Sequence, residues 1–140
     1  MSKEPLFIDA FSDAAEGYAS ARPSYPRALF HTLATLAPAK EAAWDCGTGS
    51  GQAAIGLAEF FTHIDATDAS AEQIAHAQVN PRVRYQAVPA ESSGLDDRSV
   101  DLISVAQALH WFDRDRFFSE VHRVAHLGHS PPSMVTAGFM

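Results

Sequence analysis

The 140-residue sequence has a single cysteine, Cys46, which excludes an intrachain disulfide bond. No apolar run approaches the roughly 20 residues that a membrane-spanning helix requires, and residues 1–5 lack the charged-then-apolar pattern of a secretory signal peptide. Basic residues are also few, because ten lysines and arginines stand against 17 aspartates and glutamates, giving a net charge of −7. These deficits predict a cytoplasmic protein that binds neither a membrane nor nucleic acid.

Several enzyme signatures are absent as well. The sequence contains no H-E-x-x-H pair, no G-x-S-x-G elbow and no P-loop lysine. Three histidines are spaced to share one helical face, where an i, i+4 pair can bind zinc: His122, His126 and His129. Histidines near a helix end, however, are usually solvated or interact favourably with the helix dipole. We therefore predict no metal site, and we interpret Cys46 as a small buried residue rather than a nucleophile.

The most informative stretch contains three glycines at alternate positions, Gly47, Gly49 and Gly51. They follow a short apolar run that ends at Asp45, and a helix-forming stretch begins at Gln52. This order predicts a strand, a tight turn and a helix start, which together bring backbone N–H groups up to a nucleotide-like ligand. Glycine suits the turn because some positions require a positive φ and because the ligand approaches bare backbone.

The glycine spacing discriminates between ligands. A dinucleotide fingerprint, G-x-G-x-x-G, requires glycine where this chain has Gln52. The third glycine instead comes one residue earlier, at Gly51. A nicotinamide-dependent oxidoreductase is therefore the rival hypothesis and not the favoured one.

A second acid follows at the expected distance. Thr62 to Asp68 reads as a strand, and Asp68 lies 21 residues beyond Gly47. In βαβ nucleotide-binding units, an acid about 20 residues on accepts hydrogen bonds from the ribose hydroxyls. The alternative is that Asp68 caps the next helix, a role for which Ser70 competes. We favour the ribose role.

Hydrophobic spacing predicts alternating helices and strands. Helices are expected from Phe7 to about Arg22, from Pro26 to Leu36, over 52–61 and 71–79, and after an N-cap at Asp113; strands are expected at 42–44, 62–68, 83–88 and 100–106. This alternation, without an internal repeat, predicts an α/β fold that is Rossmann-like, with three α/β/α layers and a mostly parallel sheet. We interpret 1–140 as one domain, with an N-terminal helical lid (1–38), a βαβ core (39–125) and an atypical tail (126–140).

The stretch from Asp45 to Gly51, D-x-G-x-G-x-G, resembles motif I of class I S-adenosylmethionine-dependent methyltransferases. Residues 7–125 as a whole resemble the type 11 branch, nearest to the trans-aconitate methyltransferase-like group. The resemblance implies S-adenosyl-L-methionine as the cofactor, a small-molecule methyl acceptor such as a carboxylic acid, and the strand order 3-2-1-4 with a fifth strand beyond. The stretches that carry it are 18–26, 45–51, 68–70, 89–91 and 107–112.

The resemblance also implies roles for individual residues. The glycine turn would hold the methionine end of the cofactor, the stretch after the second strand the ribose, the stretch after the third strand the adenine, and the end of the fourth strand the sulfonium. The methionine end would be held by Asp45, Gly47, Thr48, Gly49 and Gly51, and the ribose by Asp68 and Ala69. The adenine would be bordered by Ala90 and Glu91, and the sulfonium by Ala106 and Gln107. Many relatives have an aspartate where this chain has Pro89, so backbone contacts would have to recognise the adenine.

Further candidate residues lie in the stretches 18–26 and 107–112. Arg22 lies in a proline-stiffened connector that is either a lid, with Arg22 as a partner for a carboxylate, or simple packing. Tyr25 and Trp111 would offer their ring faces to the cationic sulfonium, or pack in the core or the lid. His110 follows the fourth strand, so it is the candidate base or acceptor-orienting residue; the alternative is a histidine packed beside Trp111.

The C-terminal part departs from the family. Residues 134–139 predict a poor fifth strand, and we expect the sixth and seventh strands of the family to be missing. We therefore interpret the chain as a truncated or divergent member of the family that binds the cofactor without catalysing efficiently. We therefore expect an exposed or thinly covered edge on the fourth strand, which would favour a homodimer. A non-catalytic remnant that binds cofactor and acts through a partner is the corresponding alternative function.

Overall fold

The computed structural model describes residues 6–8, 26–105, 113–125 and 133–136. Within these ranges four helices alternate with six strands. The helices are α1 (Arg27–Leu36), α2 (Gln52–Ala58), α3 (Ala71–Ala75) and α4 (Arg114–Val124); the strands are β1 (Leu6–Ile8), β2 (Ala42–Cys46), β3 (His63–Asp68), β4 (Val83–Ala87), β5 (Leu102–Val105) and β6 (Ser133–Thr136).

All six strands belong to one parallel sheet in the order β1-β6-β5-β2-β3-β4. The predicted order 3-2-1-4 is confirmed as β4-β3-β2-β5. A fifth strand, β6, pairs with β5 at the predicted place, with Ser104 opposite Val135. The fold is therefore the predicted Rossmann-like α/β class. Because the chain passes from β2 to β3 on one side and later returns to β5 on the other, the sheet has a switch point between β2 and β5.

Two expectations about the ends of the sheet are wrong. For the outer side of β5, the alternative of an exposed edge is wrong, because β6 pairs with it. Phe7 does not begin a helix, because Leu6–Ile8 forms β1, which pairs with β6 in register Phe7 to Met134. A short apolar segment gains more from the open backbone groups of a strand edge than from the costly first turn of a helix. The remainder of that expected helix lies outside the described residues.

The two faces of the sheet carry separate apolar cores. On one face Phe30 and Leu33 of α1 pack with Leu57 of α2 and with Phe61 and Ile64. The second core, on α4, includes Phe117 and Val121, together with Trp44 and Ile103 from the sheet. Helix α1, which lies within the predicted N-terminal lid (1–38), is thus part of the packed layer, and β1 of the same stretch belongs to the sheet. Residues 1–5 and 9–25 lie outside the described residues.

Helices α2 and α3 end earlier than the sequence predicts. Helix α3 stops at Ala75 instead of continuing to 79, and it buries none of its residues. A short polar helix without tertiary packing gains too little to extend. Its N-terminus is secured by Ser70, whose side chain accepts a hydrogen bond from the Gln73 backbone N–H at 3.2 Å. At α4, the predicted N-cap Asp113 is confirmed, since its side chain accepts from the Arg116 N–H.

Glu120 of α4 joins that helix to the connection between β4 and β5. Its Oε2 accepts from the backbone N–H and the hydroxyl of Ser93 at 2.8 and 2.6 Å, and Arg123 bonds both carboxylate oxygens. These donors, Arg123 first, lower the pKa of Glu120 from 4.5 to about 2. The ionised carboxylate therefore stabilises the fold above pH 4.5, and this contribution is lost as the pH falls toward 2.

We expect the Glu120→Gln variant to lose less stability than the wild type between pH 5 and pH 3, because the titrating group is gone. Urea unfolding at both pH values measures the difference. Glu59→Gln is the matched control, since Glu59 pairs with Arg27 on the exposed surface and exposed pairs contribute little. An equal loss in the wild type and Glu120→Gln would contradict the role of this carboxylate.

Candidate functional site

The glycine turn follows β2 as the sequence predicts. Gly47, Gly49 and Gly51 all have positive φ, at 72°, 57° and 89°. Gly51 is also the N-cap of α2 in the left-handed conformation. An L-residue in this region of φ/ψ space is strained, which explains why glycine recurs at alternate positions.

Strand β3 holds the first half of the turn. The N–H groups of Gly47 and Thr48 both donate to the Thr67 carbonyl, at 2.8 and 2.9 Å. The N–H of Gly49 donates to Oδ2 of Asp68 at 2.9 Å. The glycine turn and the strand-end acid, predicted separately, are therefore in direct contact.

The half-buried Asp68 keeps capacity for a ligand. Its second oxygen, Oδ1, accepts from the Ser70 backbone N–H at 2.8 Å. Each carboxylate oxygen has two lone pairs, so both can accept a further hydrogen bond from a hydroxyl group. The capping alternative for Asp68 is wrong, because Ser70 supplies the cap of α3.

Asp45 lies beneath the turn and is 1% exposed. Its two oxygens accept from the hydroxyls of Thr48 at 2.7 Å and Ser104 at 2.8 Å. Burial raises the pKa of Asp45 to about 6, and the two hydroxyl donors oppose that rise. Asp45 therefore ties the turn to β5 from below, and direct contact with a cofactor stays a prediction.

The stretch after β4 contributes the next pair of candidate residues. Ala90 is buried against the α4 core, and Glu91 is half-buried. Oε2 of Glu91 accepts from the Asp113 N–H at 3.0 Å, which fixes Glu91 to the start of α4. Ala69 is exposed between Asp68 and Ser70.

These groups share one edge of the sheet. The turn follows β2, Asp68 ends β3, and Ala90 and Glu91 come shortly after β4. Since the strands are parallel, their carboxyl ends meet at one edge, where open α/β sheets bind ligands. The other predicted residues lie outside the described residues: Arg22, Tyr25, Ala106, Gln107, His110 and Trp111.

Two residues of the site are not among the sequence-based candidates. Ser104 reaches Asp45 from β5, and the buried Thr67 accepts from the Trp44 indole N–H at 2.9 Å through its hydroxyl. Both are hydroxyl residues at buried positions of a strand: Thr67 in the buried middle of β3, and Ser104 in β5, which is buried throughout. A hydroxyl residue within a buried strand was the signal that could have identified them, because such a group requires a partner.

No group of three or more histidine, cysteine, aspartate or glutamate side chains in the described residues is arranged to hold a metal ion. His126 and His129 lie outside those residues, so the expectation about a metal stays a prediction. In the described part of the chain, no helix has the length and apolarity to cross a bilayer.

Comparison with known proteins agrees with this geometry. The type 11 methyltransferase domain family matches residues 44–128, which is more than half of the chain. The chain belongs to the methyltransferase family. The matched range begins in β2 and includes the glycine turn, Asp68 and the pair Ala90–Glu91. No comparison distinguishes a trans-aconitate-like branch.

Individual relatives are similar over most of this methyltransferase chain. A Dictyostelium discoideum protein assigned as a methyltransferase is 37% identical over 119 residues, covering 84% of this chain and 45% of that one. The structure of an Anaeromyxobacter dehalogenans protein, assigned as a type II methyltransferase, has a TM-score of 0.74 and 52% identity, covering 82% of this chain and 48% of its own. A SAM-dependent methyltransferase from Aquifex aeolicus has a TM-score of 0.59 and 26% identity, covering 63% and 52%. The chain spans about half the length of the relatives it matches.

Proposed function

We propose that this methyltransferase domain binds S-adenosyl-L-methionine at the carboxyl ends of β2, β3 and β4 and transfers its methyl group to a small molecule. The observation that carries the proposal is the contact between Gly49 and Asp68 at the carboxyl ends of β2 and β3, next to the sheet switch point. It places bare backbone and a carboxylate with unused lone pairs side by side, which suits a ligand that has both a charged end and a ribose.

The space beside the turn supports the fit. A Cβ built on Gly49 would meet no described heavy atom within 4 Å, although Gly49 is only half-exposed. A ligand can therefore approach the main chain there without displacing any side chain of the described residues. In this proposal Gly47, Thr48, Gly49 and Gly51 surround the methionine end, Asp68 and Ala69 bind the ribose, and Ala90 and Glu91 border the adenine.

The cofactor, when bound, supplies a methyl group that is already electrophilic because it is attached to a sulfonium. The chain then has to align the acceptor with that methyl and exclude water. A carboxylate acceptor is ionised at neutral pH and needs no base, whereas a hydroxyl or an amine acceptor requires one. We propose a small carboxylic acid as the acceptor, with His110 orienting it; Arg22, Tyr25, Ala106 and Gln107 would complete the pocket.

Calorimetric titration with S-adenosylhomocysteine and with NAD tests cofactor choice. We expect binding of S-adenosylhomocysteine and much weaker binding of NAD, and the opposite preference would overturn the proposal. A mass-spectrometric screen of small carboxylic acids for a gain of one methyl group then tests the acceptor class. Gain of methyl only on amines or alcohols would overturn the choice of acceptor.

The alternative functions have less support. The oxidoreductase reading requires a glycine at position 52, where Gln52 begins α2. The hypothesis of a non-catalytic remnant that acts through a partner relied on an exposed or thinly covered edge of β5. Strand β6 pairs with that edge. Homodimerisation stays a proposal that light scattering tests, and the cytoplasmic location stays a prediction from the sequence.

A further inference from the structure

The second half of the glycine turn has its own support, which comes from β4 and the segment that precedes it. The Gln78 backbone N–H donates to the Ser50 carbonyl at 3.1 Å. The carbonyl of the same Gln78 accepts from the Tyr85 hydroxyl at 2.5 Å. One peptide segment is therefore bonded to the turn on one side and to a β4 side chain on the other.

Tyr85 also touches the turn directly. A Cβ built on Gly51 would lie 2.3 Å from the Tyr85 hydroxyl oxygen and about 3 Å from two atoms of its ring. The tyrosine therefore packs against the Cα of Gly51, which is the N-cap residue of α2. Its ring lies on the sheet face that holds the α1–α2 core, next to the buried Ala66 across the β3–β4 pair.

The Tyr85 hydroxyl is suited to act as a permanent donor. Partial burial raises the pKa of Tyr85, and the negative charge of Asp45 adds to that effect. The group therefore stays protonated through the neutral range and keeps its bond to Gln78. The hydrogen bonds of residues 76, 77 and 80 go to near neighbours in the chain, whereas Gln78 bonds Ser50 and Tyr85. Because Val79 is 89% exposed and α3 buries no residue, apolar packing contributes little to holding this segment.

We propose that Tyr85 is a positioning residue for the cofactor: through Gln78 and through its contact with Gly51 it sets the position of Ser50 and Gly51. Thr67 and Asp68 fix the first half of the turn, and Tyr85 fixes the second half. The inference rests on the proposed function, in which this turn surrounds the methionine end of the cofactor. Tyr85 itself does not contact the ligand in this scheme.

The test is Tyr85→Phe, which keeps the ring and removes only the hydroxyl. We expect the dissociation constant for S-adenosylhomocysteine to rise about five-fold, the usual effect of losing one hydrogen bond. The affinity for 5′-methylthioadenosine, which lacks the amino-acid half, should stay within about two-fold, because the turn positions the missing half. A merely structural role would not produce this difference between the two ligands.

Ser99→Ala is the matched control. Ser99 also donates its hydroxyl to a backbone carbonyl, that of Asp96, at 2.7 Å, but in the connection before β5. It should leave both dissociation constants unchanged. The dissociation constants are measured by calorimetry for the wild type, Tyr85→Phe and Ser99→Ala. The temperature is one at which thermal unfolding curves show that all three proteins are folded.

The outcomes are distinguishable. The inference is supported if Tyr85→Phe weakens the binding of S-adenosylhomocysteine but not that of 5′-methylthioadenosine. Unchanged affinity, or equal weakening of both ligands, overturns it while leaving the proposed function intact. Failure of the wild type to bind either ligand overturns the proposed function and this inference with it.

Discussion

Gly49→Ala should weaken binding of S-adenosylhomocysteine by about thirty-fold, corresponding to about 2 kcal/mol of steric conflict with the ligand. The new methyl group would project into space that no described heavy atom occupies within 4 Å. The folded protein alone therefore tolerates it, apart from the strain at φ 57°, about 1–2 kcal/mol. The effect on binding is larger because the ligand must approach the backbone at that point.

Gly94→Ala separates the effect of backbone strain from that of steric conflict with the ligand. Gly94 has a similar positive φ, 78°, and a Cβ there would also meet nothing within 4 Å, but it lies outside the turn. We expect both variants to lose comparable stability in urea unfolding, while only Gly49→Ala loses affinity in calorimetry. If Gly49→Ala bound the ligand like the wild type, close approach to this backbone would be ruled out.

Asp68→Ala should lower the affinity for S-adenosylhomocysteine by about 1–3 kcal/mol, a factor of roughly five to 150. The substitution removes the acceptors that we assign to the ribose. It also releases the N–H groups of Gly49 and Ser70, so the turn and the start of α3 lose their common anchor. Both consequences act in the same direction on binding.

Two further variants show whether the loss of affinity comes from the missing ribose acceptors or from the missing anchor of α3. Ser70→Ala removes the cap of α3 but keeps the backbone N–H that bonds Asp68. We expect it to cost stability, about 1 kcal/mol, with little change in affinity. Asp68→Asn keeps one acceptor oxygen and should bind with intermediate affinity. An unchanged dissociation constant for Asp68→Ala would remove the ribose assignment.

Local chemistry explains why the turn was predictable from the sequence. Glycines at 47, 49 and 51 are required by positive φ at each position, a constraint visible in the residue types alone. The N-cap of α4 at Asp113 and the break of α1 after Leu36 follow from similarly local rules. Strand order was predictable as well, because the resemblance to a family carried it.

Contacts between distant parts of the chain were not predictable in this way. The pairing of β1 with β6 joins residues more than 120 positions apart, and it converted an expected helix start into a strand. The cover that β6 gives β5 has the same origin. No local pattern specifies which strand will satisfy an open edge, because the backbone groups that compete for it are the same in every residue.

The sequence by itself determined the turn, the acid 21 residues beyond its first glycine, and the alternation of strands and helices. Only the tertiary structure decided that Asp68 bonds Gly49, that Asp45 is held by Ser104, and that Tyr85 packs against Gly51. The reason is physical: residue type limits φ, ψ and burial at one position, whereas a contact across the sheet depends on the register of strands that meet only after folding.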